Sequence, residues 1–112
     1  MTHRIRAAAL LAGAALAFCS LPAQASFLVN GGQIDSLFAA QGNNYGFRVY
    51  LTGGGLACPG GAGFAYTNLA DDNYKVYVST LTTAYALGKP VSMTMELING
   101  NCHILEVWMR NS

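Results

Sequence analysis

Apolar and polar residues alternate most regularly over residues 45–52. Tyr45, Phe47, Val49 and Leu51 face one way, and Gly46, Arg48, Tyr50 and Thr52 the other. A period of two is the signature of a half-buried strand. Upstream, residues 33–41 read as a partner strand with Ile34, Ser36, Phe38 and Ala40 on one face, although Leu37 and Ala39 blur the alternation. Between them, Gly42-Asn43-Asn44 tolerates positive φ and predicts the turn of a hairpin. Residues 26–29 read only as a short apolar start, ended by Asn30-Gly31-Gly32. A glycine-rich loop over residues 53–63 leads to a short third strand at residues 64–67.

The chain changes period over residues 71–89. Tyr74, Tyr77, Val78, Leu81, Ala84 and Tyr85 are spaced to share one face of a helix. The β-branched residues Val76, Val78, Thr80, Thr82 and Thr83 favour a strand instead. The ends decide for the helix. Asp71 and Asp72 suit its positive end as caps, and Gly88 suits the left-handed residue after its last turn. Residues 90–97 then return to a period of two, with Val91, Met93, Met95 and Leu97 on one face. Asn99-Gly100 is a strong hairpin signal, and residues 102–110 form the last strand. The apolar set of that strand changes parity between Ile104 and Leu105, which predicts a bulge or burial on both sides.

The order is therefore β-β-β-α-β-β in a single small domain that is mainly β. Five strands with a helix between the third and fourth is the layout of the OB-fold, a small, partly open Greek-key barrel. An open five-stranded α+β sheet with the helix on one face satisfies the same order.

The first 25 residues stand apart from that domain. Basic residues Arg4 and Arg6 precede an uninterrupted apolar run over residues 7–18, and Ala23-Gln24-Ala25 forms a small-x-small site. These three parts make a cleavable secretory signal peptide. The apolar run is shorter than the roughly 20 residues a membrane span needs. Bulky Phe18 before Cys19 argues against lipidation there. Cleavage after Ala25 leaves a mature domain of residues 26–112, placed in the periplasm or outside the cell. It keeps Cys58 and Cys102, and an even count in an exported chain predicts one disulfide. No C-x-x-C and no second histidine in this part supports a metal. Arg48, Lys75, Lys89 and Arg110 stand against Asp35, Asp71, Asp72, Glu96 and Glu106. A balance this near neutral argues against nucleic acid and against docking on anionic membranes.

One pattern is familiar. Tyr77-x3-Leu81-x2-Ala84-Tyr85-x2-Gly88-Lys89-x-Val91 precedes Gly100-Asn101-Cys102, with a second cysteine upstream after a glycine-rich stretch. Over residues 33–110 this resembles a loose family of small secreted proteobacterial proteins to which the resemblance attaches no activity. More distantly, the layout is similar to the B subunits of AB5 toxins of the subtilase-cytotoxin and pertussis type. Those are OB-fold pentamers that bind glycans, and the similarity implies fold rather than sugar specificity.

Catalytic chemistry finds little footing. The glycine-rich loop lacks the G-K-[ST] of a phosphate loop, so no nucleotide cofactor is implied. His103 has no nucleophile at motif spacing and reads as a strand-surface residue. Glu96 and Glu106 lie on consecutive strands, but nothing sets the separation a glycosidase pair requires. The expectation is a domain that is not an enzyme and has no metal or cofactor. Its aromatic residues point instead to binding. Tyr45, Tyr50 and Tyr66 lie on or beside the strands where OB-folds take ligands. Asn43, Asn44, Asn99 and Trp108 could join them, since rings cover the C–H faces of sugars and amides pair with hydroxyls. The first expectation is a secreted binding module for a glycan or a protein. The second is an assembly protein that forms a homo-oligomer through its helix or a free sheet edge, for which the low charge and an exposed Met93/Met95 strand speak. A small hydrolase is the distant third. Mass spectrometry of the exported product is expected to find Ser26 at its amino terminus and to gain the mass of two hydrogens on reduction. Retention of residues 1–25, or free thiols before reduction, would contradict this reading.

Overall fold

The computed structural model describes residues 26–53 and 57–112. The expected signal peptide and its cleavage site lie outside the described residues, as do residues 54–56 of the glycine-rich loop. Among the described residues, six strands and one helix follow in order. They are β1 (Ser26–Gly32), β2 (Ile34–Ala39), β3 (Phe47–Leu51), β4 (Ala65–Thr67), α1 (Tyr74–Leu87), β5 (Val91–Ile98) and β6 (Asn101–Met109). The strands form one sheet in the order β1-β5-β6-β4-β3-β2. All neighbours are antiparallel except β4 and β6. Parallel neighbours need a crossover, and α1 with β5 supplies it. The class is mainly β with one helix, as the residue pattern predicts, and Cys58 is bonded to Cys102. Among the described residues no helix is long and apolar enough to cross a membrane.

The sheet is open and does not close into a barrel. Its free edges are β1 and β2, and these are consecutive in the chain with Gln33 alone between them. Gly32 faces Val91 of β5, while Ile34 faces Leu51 of β3. One stretch of chain therefore runs along both edges, which requires the sheet to coil. Here lies the sixth strand. Residues 26–29 are not merely an apolar start but the first half of β1, which pairs with β5 from Ser26↔Glu96 to Gly32↔Val91. The alternation in β1 is real, with Phe27 and Val29 packed against the core, but outward Leu28 is also apolar and hides it.

Two bulges reset which residues face inward. In β2 the register shifts between Ile34 and Ser36, leaving Asp35 as the extra residue. The expected face of Ile34, Ser36, Phe38 and Ala40 is therefore broken. Ile34 and Leu37 go to the core and Phe38 turns outward. In β6 the shift falls at Leu105, between the pairs Thr94↔Glu106 and Met95↔Ile104. This is the parity change the last strand predicts. The β5–β6 hairpin turns at Asn99 and Gly100, both with positive φ.

The core lies between the inner face of the sheet and α1. It comprises Ile34, Phe47, Val49, Leu81, Val91, Met93, Met95 and Ile104, with the disulfide. Met93 and Met95 are fully buried, which corrects the expectation that their strand is exposed. Leu81 and Ala84 carry the buried stripe of α1, with Tyr74, Tyr77 and Val78 packed beside it, while Tyr85 stays largely exposed. Gly88 ends the helix in the left-handed region, and its amide and that of Lys89 close on Tyr85 and Ala84 carbonyls.

The disulfide links the loop before β4 to the start of β6, across 44 residues and a Cα–Cα distance of 5.8 Å. In the chain-entropy picture a closed loop of this length contributes about 4 kcal/mol. Gly61 packs against it so closely that a Cβ there would overlap Cys102 Sγ and lie 2.9 Å from Cys58 Sγ. Gly61→Ala is therefore expected to destabilise the oxidised protein by about 1–3 kcal/mol, as overpacking does. Urea unfolding checks this. Equal stability of variant and parent would contradict the packing.

Candidate functional site

The register places one residue from each strand in a single row across the outer face of the sheet. Phe38 of β2 faces Arg48 of β3, Arg48 faces Tyr66 of β4, and Tyr66 faces His103 of β6. His103 faces Glu96 of β5, and Glu96 faces Ser26 of β1. The next row, on the inner face, holds Leu37, Val49, Ala65, Cys102 and Leu97. Side chains alternate between faces along a strand, so the core and this outer polar and aromatic row sit back to back.

The centre of the outer row is an ionic cluster. His103 Nε2 lies 2.6 Å from Asp71 Oδ2, and Nδ1 lies 3.3 Å from Glu96 Oε1. The histidine lies on the outer face of β6, but its side chain is only 16% exposed. Asp71 does not cap α1 either. The residue before the helix is Asn73, in the left-handed region and with no side-chain cap bond. Asp71 instead accepts the Asn68 backbone N–H at 2.8 Å and the Thr67 hydroxyl at 3.1 Å. Burial alone would raise its pKa. The Asn68 amide, His103 and the Thr67 hydroxyl outweigh that and hold it below the usual carboxylate value. Among the described residues no group of acids, histidines and cysteines is arranged to hold a metal ion.

Beside this cluster the row becomes aromatic. Tyr66 packs on His103, with ring centroids 5.0 Å apart, and takes the edge of Tyr45 at 4.6 Å. Tyr66 is only 3% exposed. Burial first, then Tyr45, Asp71 and Glu96, pushes its phenol up to about 12. Tyr45 reaches Tyr66 because it sits in the left-handed region, with its amide bonded to Asn68 Oδ1 at 2.8 Å. Phe64 touches Tyr45 at 6.5 Å and Tyr50 at 5.9 Å between centroids. The Arg48 guanidinium lies 4.6 Å from the Phe38 ring centre and 4.7 Å from that of Phe64.

Of the expected ligand-contacting residues, Tyr45, Tyr50 and Tyr66 meet in this cluster through Phe64, with Tyr66 as its buried floor. Asn44 borders the cluster by accepting the Asn68 amide at 2.9 Å. Asn43 lines a separate cleft of about 270 Å³ with Gln41, Leu69 and Tyr74. Asn99 belongs to the β5–β6 turn, where its carbonyl accepts from Asn101. Trp108 faces Ser92 towards the far end of β6 and is 40% exposed. Neither Asn99 nor Trp108 contacts the aromatic cluster. Glu106 faces Thr94, whereas Glu96 faces His103. The residues sequence reasoning missed are Phe38, Arg48 and Phe64. Alternation in β3 does put Arg48 and Tyr50 on the outer face. The hairpin register puts Phe38 opposite Arg48, and the β2 bulge lets Phe38 face outward while Ile34 stays in the core.

No protein-family model matches the chain, and no curated protein matches it.

Asp71→Asn removes the charged acceptor and is expected to cost about 1–2 kcal/mol near neutral pH. The folded pKa of Asp71 is lowered. The advantage of the parent over the variant should therefore be full above the unfolded value of about 4. It should vanish as pH falls through the lower folded value. Urea titrations at a series of acid pH values test this, and a difference that grows on acidification would contradict it.

Proposed function

We propose that the mature chain is an exported, non-catalytic binding module whose ligand, a glycan or another protein, lies on the outer face of β3 and β4. The observation that carries this reading is the gathering of Phe38, Arg48, Tyr50 and Phe64 from three successive segments onto one accessible shelf. Rigid aromatic rings with a polar centre are the composition of a recognition surface. Both ring nitrogens of His103 already face carboxylates, which supports a structural rather than a catalytic role for it. The disulfide supports export, since such bonds persist in oxidising compartments.

A second reading, assembly into a homo-oligomer, draws on the free β1 edge, where Leu28 is 61% exposed. The binding reading predicts a hit on a glycan array or in a pull-down from the native surroundings. Tyr50→Ala and Phe64→Ala should weaken that hit by about tenfold or more, about 1.4 kcal/mol each. Blank results in both screens, or binding indifferent to both substitutions, would contradict it. Light scattering that finds a strict monomer at high concentration removes the oligomer.

A further inference from the structure

Among the described residues Arg48 has no acidic partner. The described ion pairs are those of His103 with Asp71 and Glu96, so two of the mature chain's five acids are engaged elsewhere. Asp35, Asp72 and Glu106 are exposed and form no ion pair with it. Yet Arg48 is held firmly. Its Nε donates to the Tyr45 carbonyl at 2.9 Å, and its guanidinium sits against the rings of Phe38 and Phe64. Among the described residues neither of its terminal nitrogens donates a hydrogen bond. Their N–H groups form a planar fork that matches the two oxygens of a carboxylate.

We propose that Arg48 is an anion-binding residue that takes a carboxylate on a ligand with a flat, apolar body. This rests on the binding-module reading and names the chemistry of its ligand. Three features of the site select that class. The guanidinium is fixed before any ligand arrives, so little side-chain freedom is lost on binding. Its contact with aromatic rings replaces part of its hydration, which strengthens its attraction for an anion. One fixed cation also balances one negative charge. Glu96, further along the same row, and Asp71, paired with His103 in that row, disfavour a dianion such as phosphate. Phe64 and Tyr50 beside the fork offer the apolar surface for the ligand's body.

The test follows the Arg48 Nε–H resonance of isotope-labelled, oxidised mature protein during titration. Benzoate is compared with benzamide, glucuronate with glucose, and inorganic phosphate is run alone. Each acid is expected to saturate the shift at a concentration about tenfold or more below that of its neutral counterpart. Phosphate should bind more weakly than the better acid. Benzoate is expected to bind more tightly than glucuronate, and the reverse order overturns the flat, apolar body of the ligand. Arg48→Gln should abolish the preference for the acid, read on the Phe64 and Tyr50 resonances, while Arg48→Lys keeps part of it through charge alone. Thermal unfolding confirms that both variants fold. The inference is overturned if neutral probes bind as well as acids, if no acid saturates, or if Arg48→Gln keeps the preference. A ligand from the screens that is lost with Phe64→Ala but unaffected by Arg48→Gln overturns this inference alone and leaves the binding module standing. Blank screens overturn both.

Discussion

The sheet is joined at its middle by a very short seam. β1, β5 and β6 form one half, and β4, β3 and β2 the other. Only the parallel pairs Ala65↔Cys102 and Tyr66↔His103 connect them by register. Parallel pairing is slightly weaker per residue than antiparallel pairing, and here it is brief. The covalent bond is placed at this seam. Cys102 sits in it on the inner side, and its bridge to Cys58 anchors the loop that delivers β4. On the outer side the same seam carries Tyr66 against His103 and Asp71 against His103. The Tyr77 hydroxyl donates to the Leu105 carbonyl at 2.6 Å, which ties α1 to the same strand. A domain of this size buries only about 60–65% of its unfolded surface, so a covalent staple at its weakest junction is where one matters most.

The other junction is the passage from β1 to β2. Here the chain itself, rather than a hydrogen-bonded ladder, links the two free edges. The Thr52 amide donates to the Gln33 carbonyl at 2.9 Å, and the Gln33 side chain donates to the Gly88 carbonyl at 3.1 Å. Gln33 thereby fixes the bend against both β3 and the end of α1. On the β5 side, buried Ser92 donates to Asn30 and accepts from the Gly31 amide, so the last turn of β1 stays satisfied despite its irregular register. The outer face of this sheet carries the Arg48 shelf and the His103 cluster side by side.

Much of this was legible in the residues. The strand at 47–51, the helix with its Gly88 stop, the Asn99-Gly100 hairpin, the Leu105 bulge and the pairing of the two cysteines follow from period, turn chemistry and parity. Each is a local signal, or one whose answer is forced by count. The site was legible only in part. Tyr45, Tyr50 and Tyr66 were visible as aromatic residues near the right strands. Their association with Phe38, Phe64 and Arg48 depends on cross-strand register, and no single strand encodes that. Asp71 shows the same limit. A carboxylate near a helix start satisfies the capping pattern, yet a histidine 32 positions away in the sequence claims it.

By themselves, the amino acids determined the kinds of element, most of their positions and the covalent link, because those depend on neighbours within a few residues or on there being only one pair to make. The tertiary structure alone decided that the sheet stays open, that Met93 and Met95 are buried, and that six strands contribute one residue each to a common row. Those outcomes depend on where distant strands pair and where a bulge adds one residue. A shift of one position turns every following side chain to the opposite face.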